Sequence, residues 1–132
     1  MGKFKGTYRH SDYTEDPPVE GTIENIISLF RSSDWPTTPP DIGSRSTFPE
    51  LRVENLANGD LLNLQALDAG HCFQCTAILT IPKKVWGLDI WIFRETWESE
   101  AVELAADRAI EALQAFGRGD SEGLKSIWSA AD

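Results

Sequence analysis

A chain of 132 residues falls in the single-domain range, where one core can bury roughly two-thirds of the surface that the unfolded chain exposes. Its 41% apolar residues and five tryptophans exclude a disordered chain, and no apolar run approaches the roughly 18 residues of a membrane helix. The 21 acidic and 12 basic residues give a net charge of −9, which repels phosphate backbones and anionic lipid and speeds encounter with cationic surfaces.

Neither nucleic acid nor a membrane surface is therefore expected as a direct partner. The start, Met1-Gly2-Lys3-Phe4-Lys5-Gly6, lacks the apolar core of a signal peptide, so the expected address is cytoplasmic. Gly2 does not begin a myristoylation motif, because that motif wants Ser or Thr where this chain has Gly6.

Lys3 to Arg9 reads as an edge strand with Phe4, Gly6 and Tyr8 on one face. The acidic stretch from Ser11 to Gly21, with Pro17-Pro18, reads as a loop. A helix is expected over about Thr22 to Arg31, capped by Thr22, with Ile23, Ile26, Ile27 and Phe30 as its apolar stripe. From about 32 to 49 the chain turns to Pro, Ser, Thr, Gly and Asp around Trp35-Pro36 and Pro39-Pro40, which neither a helix nor a central strand tolerates. A loop of that length serves either function or a pinned crossover.

The centre reads as an antiparallel meander. Leu51 to Leu56 and Leu61 to Leu67 flank Asn58-Gly59, which suits a type I′ turn. A second turn at Asp68-Ala69-Gly70 leads to a strand from His71 to Ile81 with alternating faces, which Pro82-Lys83-Lys84 should break. Trp86 to Arg94 supplies a fourth strand, with Asp89, Trp91 and Phe93 opposite Leu88, Ile90 and Ile92. A long helix capped by Thr96 or Ser99 is expected to carry Val102, Ala105, Ala106, Ala109, Ile110, Leu113 and Phe116 inward and to end at Gly117. A short helix after Asp120 or Ser121 packs Leu124, Ile127 and Trp128 back onto the core. The expected fold is α+β, a single domain over 1–132 with an antiparallel sheet of four to five strands and helices mainly on one face.

Catalytic constellations are hard to assemble. Cys72-x-x-Cys75 has the spacing of zinc or dithiol chemistry, but His10 and His71 are the only histidines and no further cysteine exists to complete a zinc site. The motif also runs into a strand-like stretch, where its side chains fall on opposite faces and behave as small apolar residues. No Gly-x-Ser-x-Gly elbow accompanies either histidine, and Gly117 to Asp120 lacks the strand and lysine of a phosphate loop. Asp12, Glu15 and Asp16 read as solvated loop acids rather than metal ligands. No cofactor, metal or catalytic residue is therefore expected.

Two surface features remain. Glu103, Asp107 and Glu111 follow at intervals of four, so on one helix they are like-charged neighbours that repel by a few tenths of a kcal/mol per pair. They read either as a solvated face or as a docking stripe. Trp91 and Phe93, with Asp89 on their strand face, resemble the aromatic anchors and acidic rim of a protein interface, unless Trp35 and the long loop cover them.

Small size, strong acidity, a cytoplasmic address and a sheet-plus-helix plan resemble the immunity proteins that bacteria pair with secreted toxins. The resemblance is one of type, spread over the whole chain, and rests on no diagnostic motif. It implies a non-catalytic protein that neutralises a toxin with a basic surface. The competing expectation is a small-ligand-binding or enzymatic domain, with a pocket under the Pro-rich loop lined by Trp35, Trp86 and Trp91. An anionic mimic of nucleic acid is a third reading, disfavoured because the carboxylates cluster at the two ends of the chain.

Overall fold

The computed structural model describes residues 3–10, 13–33, 35, 48–68, 72–85 and 88–131, with the side chains of 67, 68 and 82–95 outside the description. Strand alternation sets the architecture. In β1 (Phe4–Arg9), Phe4, Gly6 and Tyr8 face the core; in β3 (Glu50–Asn55) Leu51 and Val53 do so; in β4 (Leu61–Asp68) Leu62, Leu64 and Ala66 follow. β5 (Cys72–Val85) adds Phe73, Cys75, Ala77 and Leu79 to the same face. With β2 (Val19–Gly21), β6 (Leu88–Glu98) and β7 (Val102–Ala105), they make one seven-stranded sheet, ordered β2-β1-β3-β4-β5-β6, with β7 also on β5. Every strand pairing among the described residues is antiparallel.

Three helices cover the apolar face: α1 (Ile23–Ser32), α2 (Ala106–Arg118) and α3 (Ser121–Ala130). Thr22 closes α1 with a capping box, its hydroxyl accepting from the Asn25 N–H while the Asn25 side chain reaches back to the Thr22 N–H at 2.9 Å. Ile26, Ile27 and Phe30 from α1, Leu113 and Phe116 from α2, and Leu124 and Trp128 from α3 fill the space above the strands. The fold class is α+β as expected, and the two extra strands, β2 and β7, are short.

Several local expectations need correction. β1 is not an edge strand, because β2 pairs with its first half, Phe4 opposite Gly21 through Gly6 opposite Val19. The Asn58-Gly59 turn is not type I′, which requires positive φ at both positions. Only Gly59 has it, at 80°, and the loop is wider, closed by the Asn55 N–H donating to the Asp60 carbonyl and the Gly59 N–H to the Asn55 carbonyl, both at 2.8 Å. Pro82 does not end its strand. β5 continues past it through a register shift, from Pro82 opposite Arg94 to Lys83 opposite Ile90, and such an irregularity accommodates a residue with no N–H to donate.

The largest correction concerns the long helix. Neither Thr96 nor Ser99 caps it: Thr96 lies in β6, and the Ser99 hydroxyl accepts from the Ala77 N–H at 2.7 Å while its own N–H donates to the Ala77 carbonyl at 2.9 Å. Ser99 thus fastens the chain to β5 between β6 and β7. Val102 to Ala105 then pair with Cys72 to Cys75, and α2 starts only at Ala106, behind an N-cap, Ala105, that has no side-chain hydrogen bond. At its far end the helix runs past Gly117 to Arg118 and stops at Gly119 in the left-handed conformation. Gly117 has a different task, since a Cβ there would lie 2.5 Å from Ile23, and its absence lets α2 rest against α1.

Candidate functional site

The helices leave the opposite sheet face to polar side chains, and its two ends differ in how charge is arranged. At the β1 and β3 end, Lys5 stands opposite both Glu20 and Glu54. Arg9 stands opposite Glu50 and pairs with it at 3.4 Å, and Arg52 reaches the same carboxylate at 3.9 Å. Each charged residue of β1 and β3 therefore has a counter-charge opposite or bridged to it. Glu50 and Arg9 are mostly buried in this arrangement, with side-chain exposures of 13% and 25%.

At the other end, Glu98 on β6 stands opposite Ile78, which is 40% exposed, and Glu103 on β7 stands opposite Gln74. Glu98, Glu100, Glu103, Asp107 and Glu111 are all exposed. Among the described residues, Glu98, Glu100, Glu103 and Asp107 take part in no ion pair, and Glu111 alone has a cationic partner, Arg108 one turn earlier on α2. Asp107 accepts from the Arg108 N–H at 2.9 Å.

The structure divides the expected helical stripe. Asp107 and Glu111 stand on the solvent side of α2, but Glu103 belongs to β7 and points to the sheet face away from the helices. The three are not one row of a helix; they follow the chain around the edge of the sheet. Asp89, Trp91 and Phe93 lie in β6, with side chains outside the described residues. The backbone register places Trp91 and Phe93 inside the shift at Pro82, well along the hairpin from Gln74, which pairs with Glu103.

Of the expected pocket of Trp35, Trp86 and Trp91, Trp35 alone has a described side chain. That indole stands edge-on to Tyr8 and Phe73, with centroids at 5.2 and 5.0 Å, and donates its N–H to the Phe30 carbonyl at 2.9 Å. It closes the core at the mouth of the Pro-rich loop. Residues 34 and 36–47 of that loop and Trp86 lie outside the described residues, as does the side chain of Trp91.

A different pair of tryptophans does line an opening. Where α3 crosses the link between β6 and β7, a shallow groove of about 340 Å³ lies between Trp97, Trp128, Val102, Lys125 and the acids Glu98 and Glu100. Trp97 comes from β6, opposite Leu79, and is half-buried. Trp128, on α3, is only 5% exposed and donates its indole N–H to the Glu100 carbonyl at 3.1 Å, which ties the helix to the link. The Lys125 ammonium lies over the Trp97 ring, 5.5 Å from its centroid, and pairs loosely with Glu122 at 3.9 Å.

The cysteines sit as strand alternation requires. Cys75 faces the core and Cys72, half-buried, the other side, and the two are not joined in a disulfide. Burial, reinforced by the neighbouring Cys72, pushes the Cys75 thiol up to about 12, so it stays protonated and a poor nucleophile. The His10 ring donates from Nε2 to the Asp16 carboxylate at 2.7 Å on the surface. No helix among the described residues is long and apolar enough to cross a membrane. No protein-family model matches the chain, and no curated protein or solved structure matches it.

Proposed function

We propose that this chain is a non-catalytic acidic protein that binds and neutralises a cationic protein partner, in the manner of the immunity proteins paired with secreted bacterial toxins. The charge contrast across the sheet supports this reading best. Charges that serve pairing stand opposite counter-charges, as on β1 and β3. Carboxylates set opposite Ile78 and Gln74 add nothing to cross-strand pairing and raise the negative potential of one edge. Such a potential speeds encounter with a basic surface and is screened over about 8 Å at physiological salt. Glu98, Glu100, Glu103, Asp107 and Glu111 form the docking edge; Asp89, Trp91 and Phe93, farther along β6, are offered as its extension, with Asp89 opposite Lys84 and so outside the charge contrast.

The test is protection in cells. The polypeptide encoded beside this chain's gene would be produced alone, with this chain, and with a variant carrying Glu98→Lys, Glu103→Lys and Asp107→Lys. The reading expects a growth defect that the wild-type chain relieves and the folded variant does not. Equal relief by both chains would remove the acidic edge from the account, and a harmless neighbour would remove the toxin.

A further inference from the structure

We infer that the groove between Trp97 and Trp128 seats an arginine side chain of the basic partner, with the guanidinium stacked on the Trp97 ring and held by the rim carboxylates of Glu98 and Glu100. This deepens the docking reading above and rests on it. The ring already holds a cation: the Lys125 ammonium lies 5.5 Å over its centroid. That lysine pairs loosely with Glu122, at 3.9 Å, whereas Glu98 and Glu100 at the rim have no ion pair among the described residues. The groove is thus an aromatic wall beside two carboxylates that make no ion pair among the described residues. A planar guanidinium satisfies both features at once, stacking on the indole face while its edge donates to a carboxylate. An ammonium is compact, strongly hydrated and unable to stack, so a lysine would gain less.

The groove is also anchored. Trp128 is buried and hydrogen-bonded to the Glu100 carbonyl, and Ser99 is fastened to Ala77, so the link forming the rim is held at two successive residues. Lys125 is the movable part, a partly covered side chain on a flexible four-carbon stem, held only by a loose pair with Glu122. The seat should therefore open when Lys125 swings aside, and the lysine competes with the incoming arginine for one ring. Removing Lys125 should then tighten arginine binding, and by more than the loss of one positive charge elsewhere on the protein.

The experiment titrates the full chain with the capped peptide Ac-Gly-Arg-Gly-NH2 and follows the tryptophan indole N–H signals and the backbone amides by NMR. The inference expects the Trp97 and Trp128 signals to move, with the matched lysine peptide binding several-fold more weakly. Lys125→Ala should strengthen arginine binding several-fold, while Arg118→Ala, equal in charge and outside the groove, leaves it unchanged. The pair Glu98→Gln and Glu100→Gln should weaken it several-fold with the fold intact, which keeps the test valid if Trp97→Leu proves unstable. Unmoved indole signals, equal binding of the two peptides, or equal effects of Lys125→Ala and Arg118→Ala would each overturn the inference. Shifts confined to the amides around Glu103 and Asp107 would overturn the groove but leave the acidic edge, and no shift anywhere would count against both.

Discussion

The two ends of the sheet share one core and differ in how they treat charge. On β1 and β3, Lys5, Arg9, Glu50, Arg52 and Glu54 are interlocked, and Glu50 is nearly enclosed between two arginines. On the β6 to β7 edge Glu98 and Glu103 stand opposite the neutral Ile78 and Gln74 and are exposed, while Asp89, farther along β6, stands opposite Lys84. A charge that is paired and half-buried is costly to remove, because its partner is left without compensation. One that is exposed and in no ion pair costs little to remove, and its loss relieves repulsion among like charges. The difference separates what the fold needs from what remains for binding.

The comparison presumes that both ends stand on one cooperative core. Leu113, fully buried on α2 above the sheet, tests that presumption with the largest effect. Leu113→Ala should cost about 2–5 kcal/mol and lower the transitions seen by tryptophan fluorescence and by far-ultraviolet circular dichroism together. Next is Glu50→Gln, which leaves Arg9 and Arg52 without their shared carboxylate and should cost about 1–3 kcal/mol in denaturant unfolding.

A smaller effect comes from β5, the strand that joins the two ends. The folded Cys75 thiol is raised to about 12 from 9.0, so its contribution to stability is complete below pH 9 and is lost as pH climbs from 9 toward 12. At pH 10 the loss should be about 1 kcal/mol, read as the extra fall in melting temperature of the wild type relative to Cys75→Ala. At pH 8 a thiol reagent should label Cys72 in the folded chain and reach Cys75 only on unfolding.

Much of this fold was legible because its strands alternate cleanly. Leu51 to Leu56, Leu61 to Leu67 and the strand through Cys75 each obey a period of two, and α1 and α3 have apolar stripes with a capping residue in place. β2 was illegible, since three residues do not establish a period. β7 was misread for a physical reason: Val102, Ala105 and Ala106 fit helical spacing as well as Val102 and Leu104 fit a strand. Ser99 looked like a cap, yet its hydroxyl serves the sheet, and the true N-cap, Ala105, carries no capping side chain. That misreading is what placed Glu103 on a helix with Asp107 and Glu111. The groove depends on α3 folding back so that Trp128 meets a link far away in sequence. Trp97, in Glu95-Thr96-Trp97-Glu98, offered the one local hint, an aromatic residue bracketed by acids in a strand.

The most direct test of the contrast is thermal unfolding of two neutralised variants beside the wild type at low salt. One carries Glu50→Gln and the other carries Glu98→Gln, Glu103→Gln and Asp107→Asn. For a domain of this size each kcal/mol corresponds to a shift of about 3–5 °C. The account predicts that losing one carboxylate from β3 lowers Tm by several degrees, while losing three from the β6 to α2 edge leaves Tm within about 2 °C of the wild type or raises it. A fall at the edge as large as that at Glu50 would contradict it, because those carboxylates would then be part of what holds the fold together.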